Sequence, residues 1–595
     1  MRARKKVVRR RTHNAVELQL HKVRHSLSHL MAMAVLEKQP KAKLAIGPVI
    51  ENGFYYDFDL STPLSDKDLA QLEARMRELI RQGLPFKKNI VASARAKKIF
   101  SKAPYKLELM RDLIKTKQPI SIYSTDWFID LCSGPHIANT RQINPDAFKL
   151  THLAGAYWRG SEKNKMLTRI YGVAFATKEE LDKYLLMLQE ARKRDHRKLG
   201  AELKLFMFDD LVGKGLPMWL PNGTIIKNEI EKLVMETEDR EGYVRVSTPH
   251  LAKKKLYEIS GHLPYYAESM YPPMEMDDGT YYVKSMNCPH HHLIYRSQLR
   301  SWRDLPLRIA EYGTVYRNEL SGALAGLLRV RSLQMNDAHI YCTKDQIEEE
   351  TGRVIDLTLE YFNIFGLTDY SFQLSLWDPK NKEKYIREPS NWKFSESALR
   401  TLLKKRGVKY EEAKNEAAFY GPKIDVQFVS SIGREETMST IQLDFAAKKR
   451  FELSYIDKSG KSNNEVFVIH RAPLSTHERF MAFLIEHYAG AFPTWLTPVQ
   501  AAVIPVSQKH SSYAEKVYNI LKQEGVRTKL FDDAQTLGKR IRESEISKIP
   551  YALVVGDKEQ NNNSVNVRRY QKGTVGEQKL DEFSEKIKRE IARRE

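Results

Sequence analysis

Apolar side chains near the N-terminus recur at helical spacing. Residues three or four apart lie on one face of a helix, so the pattern between residues 17 and 34 predicts an amphipathic helix. A second stretch, 176–200, is rich in Glu, Leu, Lys and Arg, especially between 178 and 194, and predicts a connecting helix. We place a domain boundary after it, at residue 200. The apolar positions of the first helix are Leu18, Leu20, Val23, Leu27, Leu30, Met31 and Ala34.

The middle of the chain begins with a turn-rich segment, 215–223. A helix is predicted at 224–241 and a strand at 243–249, which ends at Pro249 because proline cannot donate to a sheet ladder. The last hundred residues alternate between strand-like and helical patterns, which predicts a small α/β domain with a mostly parallel sheet. Its predicted strands are 499–506, 527–531, 551–555 and 565–569, and its predicted helices are 511–524, 536–547 and 580–594.

A chain of 595 residues exceeds a single core, so three or four domains are expected. We predict a multidomain protein that combines α/β and α+β folds. The predicted divisions are 1–16, 17–200, 201–497 and 498–595.

Composition narrows the class of protein. No apolar run approaches the roughly 18 residues that span a bilayer, so no membrane partner is expected. The 97 basic and 75 acidic side chains give a net charge of +22, which favours a polyanion as partner. Three cysteines are too few for a disulfide framework and indicate a reducing compartment, so we expect a cytoplasmic protein. Seven basic residues within 1–12 predict a disordered basic arm, with an organellar presequence as the alternative.

Candidate chemistry concentrates between Cys288 and His470. One thiol and two imidazoles (Cys288, His339 and His470) suit a zinc site with three protein ligands and an open fourth position. Spacing alone would favour three unrelated buried residues, but the segments between them change that reading. The segment 305–319 is predicted to be an arginine-bearing strand, followed by a polar loop and a second strand. This arrangement suits the binding of a triphosphate, since arginine makes bidentate contacts to phosphate oxygens.

This strand–loop–strand segment resembles motif 2 of the class II aminoacyl-tRNA synthetases. Together with the Cys/His/His set it resembles the threonyl-tRNA synthetase family, over roughly residues 20–595. The resemblance implies an editing domain at 17–200, an antiparallel-sheet catalytic domain at 201–497 and an anticodon-binding α/β domain at 498–595. It implies one Zn²⁺ per subunit, Mg²⁺ with ATP, and tRNA(Thr), ATP and L-threonine as partners. The helix and strand at 224–249 resemble motif 1, which implies a homodimer.

The resemblance also assigns residues. Zinc would be held by Cys288, His339 and His470. By alternation along a strand, Asp337 shares a face with His339. The remaining roles implied by the resemblance are threonine binding by Asp337, Tyr420 and Gln442; ATP binding by Arg317, Glu319, Arg329 and Arg479; catalysis by Arg317, Arg479, Glu319, Lys423 and Gln442; and anticodon reading by Arg542, Glu559 and Arg568.

A second cluster lies in the N-terminal region. His25 and His29 share a helix face, and Cys132 and His136 repeat the same spacing, so the four suit zinc on spacing alone. The resemblance instead implies hydrolysis of seryl-tRNA(Thr), and we favour hydrolysis over zinc. Serine lacks only one methyl of threonine, a difference worth roughly 1–3 kcal/mol, so a second, hydrolytic site is needed. The residues implied for it are His25, His29, Lys106, Asp130, Cys132 and His136.

Several residues depart from the expected family pattern. Leu333 stands where an aromatic residue is common, Met335 where glutamine is usual, and Ala325 where histidine is frequent. His290 replaces a glycine, and we expect it not to be a fourth zinc ligand. In the last domain Lys548 and Ala534 stand where Arg and Asn are expected. The chain starts too late to hold the small ubiquitin-like (TGS) domain of many members. The alternative functions are a stand-alone editing hydrolase and a non-catalytic RNA-binding regulator.

Overall fold

The computed structural model describes residues 2–429 and 435–595, with side chains from residue 16 onward. The segment predicted as a disordered basic arm, 1–16, is helical in its backbone from Arg2 onward, and among its side chains only that of Val16 is described. The chain forms two units, 1–187 and 188–595. Among the described helices none is long and apolar enough to cross a membrane.

The first unit packs helices against one face of an antiparallel sheet. The predicted apolar face of its first helix is confirmed from Val23 onward, and Leu27, Leu30 and Met31 are fully buried in one cluster with Phe54 and Tyr56 of a strand. The prediction was wrong for Leu18, which is exposed. Its main sheet has the order β1-β3-β8-β7, with β2 on β3, and a smaller sheet has the order β4-β5-β6. The helices are α1 Arg2–Lys38, α2 Asp66–Gln82, α3 Ser93–Ile99, α4 Pro104–Lys115 and α5 Lys178–Arg194, which contains the boundary between the units; the strands are β1 Lys43–Leu44, β2 Val49–Ile50, β3 Gly53–Asp59, β4 Lys87–Ile90, β5 Ser121–Thr125, β6 Phe128–Leu131, β7 Phe148–Tyr157 and β8 Met166–Ala174.

An eight-stranded sheet dominates the second unit. Its order is β11-β15-β16-β23-β20-β19-β17-β18, and all pairings except β11–β15 and β17–β18 are antiparallel. This confirms the antiparallel-sheet fold class. The helices of this part are α6 His196–Glu202, α7 Pro221–Arg240, α8 Lys254–Ser260, α9 His262–Tyr265, α10 Cys288–Arg296, α11 Ile347–Ile364, α12 Pro389–Lys405, α13 Ala447–Arg450 and α14 His477–His487. The strands are β9 Phe206–Met207, β10 Met218–Trp219, β11 Val244–Arg245, β12 Leu251–Lys253, β13 Met274–Met276, β14 Gly279–Val283, β15 Leu307–Tyr316, β16 Ser332–Cys342, β17 Tyr370–Leu376, β18 Tyr410–Lys414, β19 Lys423–Val429, β20 Glu435–Asp444, β21 Tyr455–Ile456, β22 Ser462–Asn463 and β23 Phe467–Ala472.

The last part of the second unit is a five-stranded sheet with helices, as predicted. Its sheet is mixed, however, and not mostly parallel: β24 pairs parallel with β25 and β26, whereas β27 and β28 pair antiparallel. Only 556–563 separate β26 from β27, too few for a parallel crossover, which takes a dozen residues or more. The elements are β24 Ala501–Pro505, α15 Ser511–Gln523, β25 Thr528–Leu530, α16 Leu537–Ile546, β26 Tyr551–Val555, α17 Asp557–Asn562, β27 Ser564–Arg569, β28 Gly573–Lys579 and α18 Leu580–Ala592.

Candidate active sites

Strand register assembles the first site. His339 of β16 lies directly opposite His470 of β23, which lies opposite Gln442 of β20. The row continues to Ile309 of β15 on one side and to Lys423 of β19 on the other. Directly opposed residues of an antiparallel pair point to the same face of the sheet. Two imidazoles far apart in sequence therefore meet as neighbours.

The thiol reaches this row from a helix. Cys288 is the first residue of α10, and Pro289 follows it in the first turn, where a missing N–H costs nothing. Cys288, His339 and His470 are all buried, and their potential ligand atoms lie within 4.8 Å of one another. Burial raises the pKa of the Cys288 thiol and lowers the pKa of His339. The donor set of one thiol and two imidazoles suits zinc.

A cavity of about 260 Å³ opens beside these three side chains. Every residue predicted for metal, threonine or ATP lines it. Lys423, predicted to be catalytic, is not in the lining, and its Nζ lies 2.6 Å from Asp425. The predicted residues that line the cavity are Cys288, His339, His470, Asp337, Tyr420, Gln442, Arg317, Glu319, Arg329 and Arg479.

Arginine side chains supply positive charge to the lining of the cavity. Burial lowers the pKa of Arg317 and of Arg479, and the charge of Arg479 lowers that of Arg317 further. Arg479 sits in the first turn of α14 and donates from Nε to the Leu328 carbonyl oxygen at 3.3 Å. Arg329 pairs with Glu319 at 2.8 Å. Two partly buried guanidiniums that are close enough to affect each other's pKa repel each other and attract a ligand with several negative charges.

The lining of the cavity also offers groups for a small polar substrate. Asp337 is buried, which raises its pKa, and it accepts a hydrogen bond from Asn287 Nδ2 at 3.1 Å. Gly313 makes room for Asn287, since a Cβ on residue 313 would stand 2.2 Å from Asn287 Oδ1. The Tyr420 hydroxyl donates to Gln442 Oε1. The cavity therefore presents a carboxylate, an amide and a phenol together with the three metal donors.

The structure adds residues that sequence reasoning missed. His262 places Nε2 3.9 Å from Cys288 Sγ, and His291 and Asp444 contact the predicted histidine ligands. The run His290-His291-His292 was the only sequence signal for any of them. Among the described residues His290 belongs to no group of potential metal donors, and the expectation that it is not a ligand stays a prediction.

The first unit brings its predicted cluster together as well. Cys132 Sγ lies 3.3 Å from His25 Nε2 and 3.2 Å from His136 Nε2. His25 Nδ1 lies 3.2 Å from the Pro135 carbonyl, and His136 Nδ1 lies 3.1 Å from the Ser26 hydroxyl, which itself donates to Lys22 O. Both Nδ1 atoms are therefore donors, and both Nε2 atoms carry lone pairs that face the sulfur.

A buried charge pair adjoins this cluster. Lys106 Nζ lies 2.5 Å from Asp130, whose other oxygen accepts from the Tyr56 hydroxyl at 2.6 Å and lies 3.6 Å from His29 Nε2. Burial lowers the pKa of His25, His29 and His136 and raises the pKa of Cys132 to about 11. At neutral pH the imidazoles are neutral bases and the thiol stays protonated. This arrangement suits general-base hydrolysis better than attack by a thiolate.

The predicted anticodon residues lie in different environments. Arg542 is exposed on α16, and Arg568 on β27 donates to the Thr574 hydroxyl at 2.9 Å. Glu559 is buried and accepts from the Gly556 N–H at 2.9 Å, so its carboxylate caps α17.

Comparisons with known proteins assign the family. Residues 271–488 match the tRNA synthetase class II core domain (G, H, P, S and T), 500–590 the anticodon binding domain, and 120–171 the threonyl and alanyl tRNA synthetase second additional domain. A threonine–tRNA ligase of Geobacillus sp. (strain WCH70) is 49% identical over 96% of this chain and 88% of its own length. The chain belongs to the threonyl-tRNA synthetase family. It is a class II aminoacyl-tRNA synthetase, and the enzyme class of its relatives is threonine–tRNA ligase.

Other members of the family support the same assignment. Threonine–tRNA ligase 1 of Bacillus subtilis (strain 168) is 48% identical over 95% of this chain and 88% of its own length. The solved RNA binding domain of threonyl-tRNA synthetase from Cryptosporidium parvum Iowa II has a TM-score of 0.63 and 35% identity, and covers 66% of this chain and 97% of that structure. The class II core together with the second additional domain supports two activities, tRNA aminoacylation and editing. The predictions of fold class and enzyme class are thus confirmed.

Proposed function

We propose that this chain selects L-threonine with a zinc ion, joins it to tRNA(Thr) at the expense of ATP, and hydrolyses seryl-tRNA(Thr) in its first unit. The observation that carries the proposal is the single cavity in which three metal donors, two partly buried guanidiniums and a buried carboxylate meet.

Cys288, His339 and His470 would hold the zinc. When bound, the ion supplies a Lewis-acid position that takes the amine and hydroxyl of a substrate. Valine is isosteric with threonine but has no hydroxyl, so a site built for that hydroxyl rejects valine strongly. Asp337 would accept a hydrogen bond from the substrate amine or hydroxyl, and Tyr420 and Gln442 would close the pocket around it.

The arginines would align ATP for adenylate formation. Arg317 would bind the α-phosphate and the amino-acid carboxylate, and Arg479 the γ-phosphate, with Glu319 and Arg329 beside the nucleotide and Mg²⁺ on the phosphates. The carboxylate attacks the α-phosphorus, the bond to the β-phosphate oxygen breaks, and pyrophosphate leaves. The 3′-hydroxyl of the tRNA then takes the acyl group and AMP leaves. Catalysis of this kind depends on alignment and on stabilising negative charge.

Editing would use the neutral imidazoles of the first unit. His25 or His136 would take a proton from water through its free Nε2, and Lys106 would stabilise the negative charge that develops on the ester carbonyl. The ester bond to the tRNA breaks, and serine and free tRNA leave. The converging Nε2 atoms and thiol also suit a metal ion, so the zinc content of the whole chain is informative.

Pyrophosphate exchange with threonine, serine and valine, before and after zinc removal by a chelator, tests the proposal. We expect exchange with threonine and serine, little with valine, and loss of all exchange with the metal. Exchange that survives zinc removal, or none with the zinc-loaded protein, would contradict zinc-mediated selection. One zinc per chain is expected, and two would assign a metal to the His25–Cys132 cluster as well.

We also propose that the chain is a homodimer, with an interface formed by the motif 1 segment, α7 and β11. The division into domains at 17–200, 201–497 and 498–595 is part of the same proposal. Light scattering of the full chain measures its mass in solution and so tests the homodimer directly. A monomeric mass at micromolar concentration would contradict it.

A further inference from the structure

A line of buried hydrogen bonds leads away from one predicted zinc ligand. His339 Nδ1 lies 2.8 Å from His291 Nδ1, and His291 Nε2 lies 3.1 Å from Glu311 Oε2. His291 is fully buried on α10, one turn after Cys288, and Glu311 lies on β15 beside the strand of His339. We call Glu311, His291 and His339 the relay.

The carboxylate at the end of the relay decides where its protons lie. An ionised carboxylate only accepts hydrogen bonds, so His291 Nε2 must donate to Glu311. In a neutral imidazole the other nitrogen is then an acceptor, so His339 Nδ1 must donate to His291 Nδ1. His339 Nε2 is left without a proton. That is the state a metal requires of a histidine nitrogen.

Glu311 is held so that it can play this part. Thr248 donates to it twice, from its backbone N–H at 2.8 Å and from its hydroxyl at 3.0 Å, and Lys284 Nζ lies 3.4 Å away. Burial alone would raise the pKa of Glu311, but the bond from His291 and the charge of Lys284 outweigh it and lower this pKa to about 2. The acceptor at the end of the relay is therefore charged at any working pH.

The second predicted histidine ligand has its own carboxylate. His470 Nε2 lies 3.1 Å from Asp444 Oδ2. The other oxygen of Asp444 accepts the backbone N–H groups of Ala446 and Ala447 at 2.6 and 3.0 Å, at the start of α13. His470 Nε2 is therefore the donor, and Nδ1 is the nitrogen left free.

We propose that Glu311, acting through His291, and Asp444 are positioning residues that fix the tautomers of His339 and His470 for zinc. This inference rests on the proposed zinc site. Without these partners each imidazole would spend part of its time with the wrong nitrogen protonated or the ring turned away. Partners of this kind typically account for a 10–100-fold difference in metal affinity.

Zinc affinity of the full chain, measured by competition with a chromogenic chelator, tests the proposal. We expect His291→Leu and Asp444→Asn to raise the zinc Kd roughly 10–100-fold, and Glu311→Gln to raise it toward the lower end of that range. Tyr341→Phe is the matched control: it removes an equally buried hydrogen bond, 2.9 Å to His292 on the same helix, without touching the relay. Its zinc Kd should stay within about twofold of the unsubstituted value, since the partners of both ligands remain.

A second readout separates positioning from general damage. Cobalt replaces zinc and reports ligand geometry in its visible absorption, so Glu311→Gln should change the cobalt spectrum and Tyr341→Phe should not. Glu311→Gln keeps the side-chain shape, so it decides the question if His291→Leu does not fold. Zinc affinities and cobalt spectra equal to those of the unsubstituted chain in Glu311→Gln and Asp444→Asn would overturn the inference and leave the zinc site standing. An unsubstituted chain that binds no zinc at the Cys288 trio would instead overturn the proposed function.

Discussion

The buried pair between Glu238 and Arg471 offers a sharp test of the structure. Arg471 follows the predicted ligand His470 and is 1% exposed, and its Nη2 lies 2.5 Å from Oε1 of Glu238 on α7, which is also 1% exposed. Asn336 joins both partners, since its Nδ2 donates to Glu238 at 2.9 Å and its Oδ1 accepts from Arg471 at 3.0 Å. Glu238→Gln keeps the shape of the side chain and removes the charge that balances the guanidinium.

The expected cost follows from burial. Removing one partner of a fully buried ion pair leaves an uncompensated charge in the interior, which costs about 3–5 kcal/mol. Glu236→Gln, two residues away on α7, is the matched control, because Glu236 pairs with Arg594 and half of its side chain is exposed. An exposed pair is worth about 0–1 kcal/mol.

Urea unfolding of the full chain, followed by tryptophan fluorescence, measures both variants. We expect Glu238→Gln to lower the unfolding midpoint of the second unit clearly, and Glu236→Gln to leave it almost unchanged. Equal shifts in the two variants, or a cost below about 1 kcal/mol for Glu238→Gln, would refute the reasoning from burial.

Three further predictions concern pH, editing and tRNA. Burial raises the pKa of Glu478 from 4.5 to about 7, so its protonated form is favoured in the folded chain. The stabilisation is complete below pH 4.5 and is lost as pH rises through about 7. Relative to Glu478→Gln, the unsubstituted chain should therefore lose about 3 kcal/mol of unfolding free energy between pH 4.5 and about pH 7. A difference independent of pH would contradict this. His25→Ala should leave threonine-dependent pyrophosphate exchange unchanged and let seryl-tRNA(Thr) accumulate, as thin-layer analysis of charged tRNA would show; equal hydrolysis in the variant would exclude His25 as the base. Arg542→Ala should lower kcat/KM for tRNA by about 10-fold, as expected for one lost base contact of about 1.4 kcal/mol, without affecting exchange. A loss of exchange in Arg542→Ala would indicate a structural fault instead.

Local patterns predicted the helices well. A connecting helix was predicted over 176–200, and the structure has two helices in this range, α5 Lys178–Arg194 and the start of α6 His196–Glu202. The predicted helix at 511–524 corresponds to α15, Ser511–Gln523. Short elements escaped prediction, because neither α17 nor β28 has enough apolar positions to show a period. Pairing direction was also predicted incompletely, since it depends on the length of the connection between β26 and β27.

The residues of the candidate site also fall into those that could be predicted from the sequence and those that could not. The resemblance supplied Cys288, His339 and His470, whose types alone would not have distinguished them from other buried residues. It could not supply His291 or Asp444, because these residues are recognised only by their contacts with the predicted ligands. Strand register and helix phase bring each of them within about 3 Å of a ligand histidine. Lys423 shows the converse. It lies in the same row as the ligands, yet its ammonium is paired with Asp425, and its catalytic role stays a prediction.

The row of opposed residues across β15, β16, β23, β20 and β19 has a consequence for how the gene can change. Side chains alternate between the two faces of a strand, so the site depends on parity within each strand and not on the length of chain between strands. A single-residue deletion within β23 before His470 would turn its imidazole to the opposite face and dismantle the metal donors. Insertions of any length between α14 and β24, or in the segment between β16 and β17 outside α11, leave that parity untouched. The face to which each residue of the row points is therefore independent of the number of residues between its strands.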